Sequence, residues 1–432
     1  MKIGVVGLGL AGLRTAMLIE RAGLEALLFE ARDQAGGRLR AAPENGAPLY
    51  EAGGEWIDAD HYRMLDLLKE FRLMARPAAA GPGRIAWRGR LMSEADVSDD
   101  ALADEMAVEA LARSLCRELR APVWENPRAA EFDRRTLASF MRVNARGEQG
   151  RFRLTAKYRS DEGDDLDRIG LLGWLAGFQL YADREDGEMC AHRLPVSSRE
   201  LCSRMLSTLN AAPLFRRLLR GVRQERGGVT LFFSDGAVKV DRVVLTLPPR
   251  CLERVWFDPP LKPEQFRAIR ACRMGRAVKI VWQFDRPWWR EEGWNGSLLS
   301  DGPLQHVWDA SIGEAPILCA FVCGRDAIGW RRMGDPVGAG LEALTRLCPA
   351  AGRSFARGWF HDWISDPFAQ GVYSHMQPGY ALNHLRFIAD PFDRIHFAGE
   401  HTAAWSGFME GALESAERVA QEMISHDYFP QP

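Results

Sequence analysis

Three groups of residues have the types and spacing to do chemistry. The first is Gly7-x-Gly9-x-x-Gly12, followed at the end of the next apolar run by Glu30. Glycines so spaced bring a diphosphate onto bare backbone: Gly7 permits a tight turn, Gly9 a close approach, and Gly12 a helix packed hard on its strand. A carboxylate at Glu30 accepts hydrogen bonds from ribose hydroxyls and disfavours the extra phosphate of NADP. The second group, Gly36-Gly37-Arg38, adds another close backbone approach and a guanidinium suited to bidentate phosphate contact. The third is Lys279, which projects from the middle of the apolar run AVKIVWQF, Ala277 to Phe284.

The elements that must position these groups are legible in part. Ile3 to Val6 reads as a strand, the glycine turn leads into a helix, and a second apolar run ends at Glu30, giving the strand, turn, helix and strand of a dinucleotide-binding unit. The helix N-terminus then offers free N–H groups and a positive dipole end to phosphate. This unit alone admits NAD and FAD equally. Gly53-Gly54, beside Glu55 and Trp56, fits either a second backbone approach to a bound group or a loop that closes a strand. Residues 60–71 read as an amphipathic helix with Leu65, Leu68 and Phe71 on one face.

From about Arg76 the character changes. Pro77, Gly81, Pro82 and Gly83 break the chain, and helical patterns follow over 100–120 and 166–181 with little strand signal. Strand patterns resume over 229–233 and 238–247, joined by the Asp235-Gly236 turn signal, as a ribbon followed by a central strand. In the run from Ala277 to Phe284, alternation sets Ala277, Lys279, Val281 and Gln283 on one face and Val278, Ile280, Trp282 and Phe284 on the other. Periodicity alone favours Lys279 as an edge lysine with a packed stem and a solvated head over a site residue. Near the end, Arg394 to Glu400 reads as a strand stopped by Gly399. Residues 406–424 read as a helix whose first N–H groups Gly407 leaves open to a ligand.

With 432 residues, 47% hydrophobic, the chain buries a large core and is long enough for two domains. The formal net charge of -2 leaves no electrostatic footprint for nucleic acid. The acidic stretch 161–167 reads as solvated surface. Eight cysteines without a C-x-x-C pair fit free thiols better than a disulfide or zinc framework, so no metal is expected. The first strand begins at Ile3 with no room for a signal peptide before it, and the longest apolar stretch, 170–181, is too short to span a membrane. A reducing, cytoplasmic setting is the expectation.

Taken together, GLGLAGLRTA with Glu30, GGRLR, EAGGEWI, DGAVKVDRVVLTLPP, GRAVKIVWQFDRPWW, DWISDPFAQGVYSHMQPG and RIHFAGEHTAAWSGFMEGALESAERVA resemble the flavin-containing amine oxidases, the group of monoamine, polyamine and L-amino-acid oxidases. The resemblance implies an α/β fold, a discontinuous Rossmann-like FAD-binding domain (1–75, 195–261 and 381–432) with an inserted α+β substrate-binding domain (76–194 and 262–380). It implies FAD held by Gly7, Gly9, Gly12, Glu30, Gly37 and Arg38, with the Leu219 backbone near the adenine. Gly53, Gly54, Glu55 and Trp56 would border the flavin, Gly399 and Glu400 its ribityl and phosphate side, and the Met409 N–H its C2 carbonyl oxygen. Lys279 matches the lysine that reaches flavin N5 through a water, and Tyr373 and Phe408 match the paired aromatics flanking the substrate amine.

Covalent members attach the flavin through a cysteine before an aromatic. Val372 stands there, before Tyr373, so the FAD is expected to be non-covalent. Amino-acid oxidases of the group commonly carry a carboxylate-binding arginine where this chain has Trp56, although Arg193 or Arg84 remain candidates for that task. The expected reaction is therefore oxidation of an amine by hydride transfer to flavin N5, with molecular oxygen as acceptor and hydrogen peroxide as product. An L-amino-acid oxidase, a flavin dehydrogenase or desaturase, and a non-enzymatic nucleotide-binding regulator are the alternatives. The identity of the amine and the oligomeric state are not legible.

Overall fold

The computed structural model describes residues 1–119, 122–182 and 189–425. The first strand, Lys2–Val6, lies at the centre of a parallel five-stranded sheet ordered Pro213–Leu214, Glu25–Phe29, Lys2–Val6, Arg242–Leu245, Ile395–Phe397. Both faces are covered, which is why Ile3 to Val6 is continuously apolar rather than alternating. At its end Gly7, with φ 96°, turns the chain into the helix Leu10–Arg21. That helix packs against the last helix, Met409–Ile424, on one side of the sheet. On the other side a four-stranded sheet, Gly236–Val240, Gly228–Phe233, Leu219–Glu225 and Trp256–Asp258, packs Leu231, Val229 and Phe233 against Val6, Phe29, Val243 and Leu245.

The run 238–247, expected as one strand, is two. Gly236–Val240 pairs with Gly228–Phe233, and Arg242–Leu245 pairs with the first strand in the parallel sheet. Asp241 is the crossing point, its carboxylate accepting the Lys2 backbone N–H at 2.6 Å. The last helix begins at Met409 rather than Ser406, because Gly407 at φ 88° is left-handed and cannot continue a right-handed helix.

A second, seven-stranded sheet runs Phe355–Asp362, Ala277–Phe284, Ile317–Cys323, His306–Asp309, Leu298–Ser300, Arg84–Trp87, Arg90–Met92. Its last two strands fall in the stretch expected to carry little strand. The Lys279 strand is interior, with Lys279 opposite Phe321 on one neighbour and His361 on the other, so the edge-lysine reading is wrong. The alternation itself is realised: Val278, Ile280, Trp282 and Phe284 pack with Trp288, Trp289 and Leu344, while Ala277 and Val281 pack towards Tyr50 and Trp308.

Helices Asp99–Glu118, Leu137–Asn144, Glu148–Glu162 and Leu171–Phe178 surround a separate core around Phe140, Tyr158 and Trp174. Residue 120, the expected end of the first of these, lies outside the described residues. The pattern over 166–181 yields a helix only over Leu171–Phe178 with a single tighter turn, Gln179–Tyr181, after it. Of the acidic stretch only Asp167 is exposed surface. Asp164 is fully buried against Arg276, whose Nε stands 2.9 Å from its Oδ2, and Asp165 is buried beside Arg325. Burial opposes ionisation of Asp164, but His375 and Arg276 outweigh it and hold the carboxyl far below its usual range. Those partners come from distant segments, which is why the stretch reads as surface from sequence. All eight cysteines are free. Among the described residues no helix is long and apolar enough to cross a membrane.

Candidate active site

A cavity of ≈ 460 Å³ is lined by residues from both large sheets. The glycine turn supplies Gly7 and Gly9, and the following loop supplies Gly37 and Arg38. These two loops touch: a Cβ on Gly37 would lie 3.2 Å from the Gly9 Cα, so the cavity floor here is bare backbone. Gly12 does not line the cavity. A Cβ there would fall 1.9 Å from the Gly7 carbonyl oxygen, so Gly12 exists to seat the helix on the turn.

Glu30 lines the same region, and its carboxylate accepts the Leu8 N–H at 2.7 Å and the Arg32 N–H at 2.9 Å. Each oxygen keeps a further lone pair for a hydroxyl donor. Leu219 lies beside it in the lining, close to where the Arg217 N–H donates to the Glu30 carbonyl at 2.8 Å.

Arg38 and Glu400 form a pair across the cavity at 2.6 Å. Glu400 also accepts from the Ser374 hydroxyl at 2.6 Å and the Gly407 N–H at 2.8 Å. Burial raises its proton affinity, yet Arg38, His401 and Ser374 bring its pKa down to about 2. Gly399, which ends its strand, donates its N–H to Ser415 Oγ at 2.9 Å and lines the cavity next to Glu400. Met409 is the first residue of the last helix, so its N–H has no partner within the helix and fronts the cavity.

Gly53, Gly54 and Glu55 enter the lining from the segment between the short strands Tyr50–Glu51 and Trp56–Ile57, and Trp56 from the start of the second. Gly53 is packed against backbone, its hypothetical Cβ being 1.9 Å from the Arg38 carbonyl oxygen. Glu55 is 2% exposed and gathers three donors: Lys279 Nζ at 3.0 Å, Trp308 Nε1 at 3.2 Å, and the Arg193 guanidinium. Burial disfavours its charge, and Arg193 with Lys279 more than compensates, lowering its pKa. Arg193 arrives because its strand residue pairs directly with Trp56, over whose ring its guanidinium also lies at 5.1 Å.

Tyr373 and Phe408 line the cavity with His306, Trp308 and Phe321. The Tyr373 hydroxyl donates to the Ser160 carbonyl, fixing the ring, and burial pushes its pKa far up. Phe408 caps the last helix and packs edge-on against His61 and Trp405, with ring centroids 5.1 and 5.8 Å away. His306 Nδ1 lies 3.2 Å from Ser160 Oγ, and burial lowers its pKa to about 4, so its imidazole is neutral. The structure thus brings every expected site residue except Gly12 to one cavity. Sequence reasoning missed His306, Trp308 and Phe321, although the alternation of HVWD and the apolar run before Cys323 were available signals.

The fold and cavity define a dinucleotide-binding oxidoreductase whose phosphate loop opens into an aromatic chamber. The family described as Flavin containing amine oxidoreductase matches residues 10–424, and the chain belongs to it. A Mycobacterium tuberculosis protein named as a flavin-containing monoamine oxidase, AofH, is 28% identical over 98% of this chain and 96% of its own length. Human amine oxidase [flavin-containing] B is 23% identical over 97% of this chain and 85% of its own length. An L-amino acid dehydrogenase of Synechocystis is 24% identical over 97% and 94%. Among solved structures, wild-type putrescine oxidase bound to putrescine superposes with a TM-score of 0.89 at 22% identity, covering 98% of this chain and 99% of that one. Cyclohexylamine oxidase from Brevibacterium oxydans IH-35A gives 0.88 at 21% identity, with the same coverage.

The cofactor of the family is FAD, and the residues present fit it. The bare-backbone floor at Gly9 and Gly37 accepts a diphosphate, Glu30 keeps acceptor capacity for a ribose, and the lining continues without a break to Tyr373 and Phe408. The attachment is non-covalent, with Val372 and its inert side chain standing before Tyr373.

Proposed function

We propose that the protein oxidises an amine that carries no carboxylate, removing a hydride equivalent from the carbon next to a neutral nitrogen. The observation that carries this reading is the state of the candidate arginines. Arg193 spends its guanidinium on Glu55 and on the Asp309 carbonyl at 2.6 Å, and is 5% exposed. Arg84 sits in the seven-stranded sheet beside Leu298 and is absent from the lining. Neither of these two arginines is therefore placed to meet a carboxylate beside Tyr373 and Phe408, and Arg38, which does line the cavity, is engaged by Glu400. FAD, when bound, accepts the hydride and returns two electrons to oxygen as hydrogen peroxide.

The chain's own groups would do the rest. Tyr373 and Phe408 wall the amine and exclude water, and a low-dielectric aromatic site favours its neutral, reactive form. Gly7, Gly9, Glu30, Gly37, Arg38, Leu219, Gly399 and Glu400 hold the cofactor's nucleotide and phosphate side; Gly12 serves it indirectly through the helix. Gly53, Gly54, Glu55 and Trp56 would border the ring, and the Met409 N–H, at a positive helix end, would stabilise negative charge that accumulates on the cofactor when it is reduced. The imine product leaves and hydrolyses to a carbonyl compound plus ammonia or an amine. The division into an FAD domain (1–75, 195–261, 381–432) and a substrate domain (76–194, 262–380) belongs to the same reading, as does a cytoplasmic setting for eight unbridged thiols.

The test is a peroxide-coupled screen of amines and L-amino acids on purified protein, after recording its absorption spectrum. Turnover of simple amines with peroxide release supports the reading, and turnover of amino acids alone overturns it. A second reading, a dehydrogenase passing electrons to another acceptor, is favoured by the named activity of the Synechocystis relative. Fast anaerobic bleaching of the flavin followed by very slow recovery in air would select it.

A further inference from the structure

One wall of the cavity is laid across three neighbouring strands. Lys279 stands directly opposite Phe321 and Phe321 directly opposite His306, so the three side chains form a row on one face of the seven-stranded sheet, and all three line the cavity. Adjacent strands lie about 4.8 Å apart, which sets His306 about 10 Å from Lys279 along that row. The Lys279 ammonium donates to the Gly53 carbonyl at 2.9 Å, so the row starts at the segment read as bordering the flavin ring. His306 is its far end.

His306 is held there as a polar edge. Its Nδ1 lies 3.2 Å from Ser160 Oγ, and its ring stands edge-on to Trp308 with centroids 5.2 Å apart. Its Nε2 has no partner among the described residues, yet it is not one of the nitrogens sealed inside the protein. His375 and His401 show the contrast, since both ring nitrogens of each are shut away from solvent. Burial lowers the His306 pKa to about 4, so the imidazole is neutral and Nε2 offers the cavity an uncharged hydrogen-bonding atom. Phe321 is apolar, so a chain lying along the row meets hydrocarbon in the middle and that atom at the end.

We propose that His306 is the specificity-determining residue of the chamber, its Nε2 hydrogen-bonding a hydroxyl that the substrate carries about five carbons from the reacting nitrogen. The inference rests on the reading that an amine is oxidised in front of Tyr373 and Phe408. The length follows from the row: about 10 Å, less the roughly 3 Å of a hydrogen bond, leaves about 7 Å for the chain. A hydroxyl both gives and takes a hydrogen bond, so it satisfies Nε2 in either tautomer. A hydrocarbon end would leave Nε2 unpaired against apolar walls. A second ammonium would meet an uncharged ring on a sheet face that already carries the Lys279 ammonium. Its natural partner would be the Asp161 carboxylate, which lines the cavity next to Ser160.

The experiment follows anaerobic bleaching of the flavin in the holoenzyme by pentylamine, aminopentanol and diaminopentane, each substituent at the far end of the chain, in wild type and His306→Phe at one pH. Phenylalanine keeps a ring against Trp308 and removes both nitrogens. Wild type is expected to prefer aminopentanol to pentylamine by about tenfold in the ratio of limiting rate to half-saturating concentration. The gain should sit in the half-saturating concentration, because a contact so far from the reacting carbon is the same in the ground and transition states. In His306→Phe the preference should vanish or reverse. Wild type that shows no preference, or His306→Phe that keeps it, overturns the proposal. A preference for diaminopentane over aminopentanol in both proteins also overturns it and hands the far end to Asp161. If His306→Phe retains no FAD, Ser160→Ala carries the test: it releases Nδ1, lets the ring turn and must weaken the preference, and a preference left intact overturns the proposal. Wild-type protein that takes up no flavin or is bleached by no amine instead sinks the functional reading beneath it.

Discussion

Arg38 and Glu400 are 362 positions apart in the chain and 2.6 Å apart in the fold. Their pair closes the cavity wall between the glycine-rich N-terminal unit and the start of the last helix, and the same Arg38 Nη1 also donates to the Val372 carbonyl at 3.0 Å.

Replacing Arg38 with Met should therefore strand a buried carboxylate, at a cost of about 3–5 kcal/mol. The variant is expected to lose FAD on gel filtration and to melt well below wild type. Glu400→Gln in the same background should recover much of the melting temperature but not the cofactor affinity.

The same pair sets an acid limb. Glu400 has a folded pKa of about 2 against an ordinary 4.5, so its contribution to stability is complete above 4.5 and lost as pH falls towards 2. Unfolding free energy measured in urea should decline over that window in wild type, and Glu400→Gln should flatten the decline. A Glu400→Gln curve parallel to wild type would remove Glu400 from the account.

Glu51 behaves in the opposite sense. Burial raises it from 4.5 to about 7, so its neutral form stabilises the fold below 4.5 and that stabilisation drains away as pH rises through about 7. The shift corresponds to about 3 kcal/mol at most. Glu51→Gln, which preserves an acceptor for Ser198, should gain stability relative to wild type at pH 8 and show no gain at pH 4.

Activity towards an amine of high pKa should rise with pH between 6 and 9 as the neutral amine becomes available. His306, the histidine lining the cavity, is already neutral there, so the limb should move with the pKa of the amine when substrates are changed. A kcat/KM profile that is flat, or that keeps one midpoint for every amine, contradicts this.

Tyr373 offers a graded test of the aromatic wall. Tyr373→Phe loses one hydrogen bond to Ser160, worth about 1 kcal/mol or roughly fivefold in kcat/KM. Tyr373→Ala, which opens the wall, should cost about 100-fold or more. Acid precipitation should release all the yellow colour from every one of these proteins, as non-covalent attachment requires.

The nucleotide end of the site was legible because its chemistry is written in backbone: Gly7, Gly9 and Gly37 are read as glycines whatever packs around them. Lys279 was legible as a projecting residue from alternation, but its interior position depends on pairing with Phe321 and His361, which no local pattern records. Glu55 and Arg193 meet through strand pairing over a long sequence separation, so their ion pair was invisible. Glu148–Glu162 was missed for a different reason. Only Gly150, Leu154 and Tyr158 of that helix are buried, too few for an apolar stripe to stand out.

The parallel sheet has an implication for how the chain is made. Lys2–Val6 is synthesised well before one of its two neighbours, Arg242–Leu245, and the helix that fronts the cavity is made later still. At about 5–20 residues per second, the N-terminal strand waits roughly ten seconds or longer with one edge uncovered. A nascent chain can thus fold its glycine turn early but cannot trap the flavin until the Met409–Ile424 helix has been made, and products truncated before Glu400 should accumulate as cofactor-free, protease-sensitive chains.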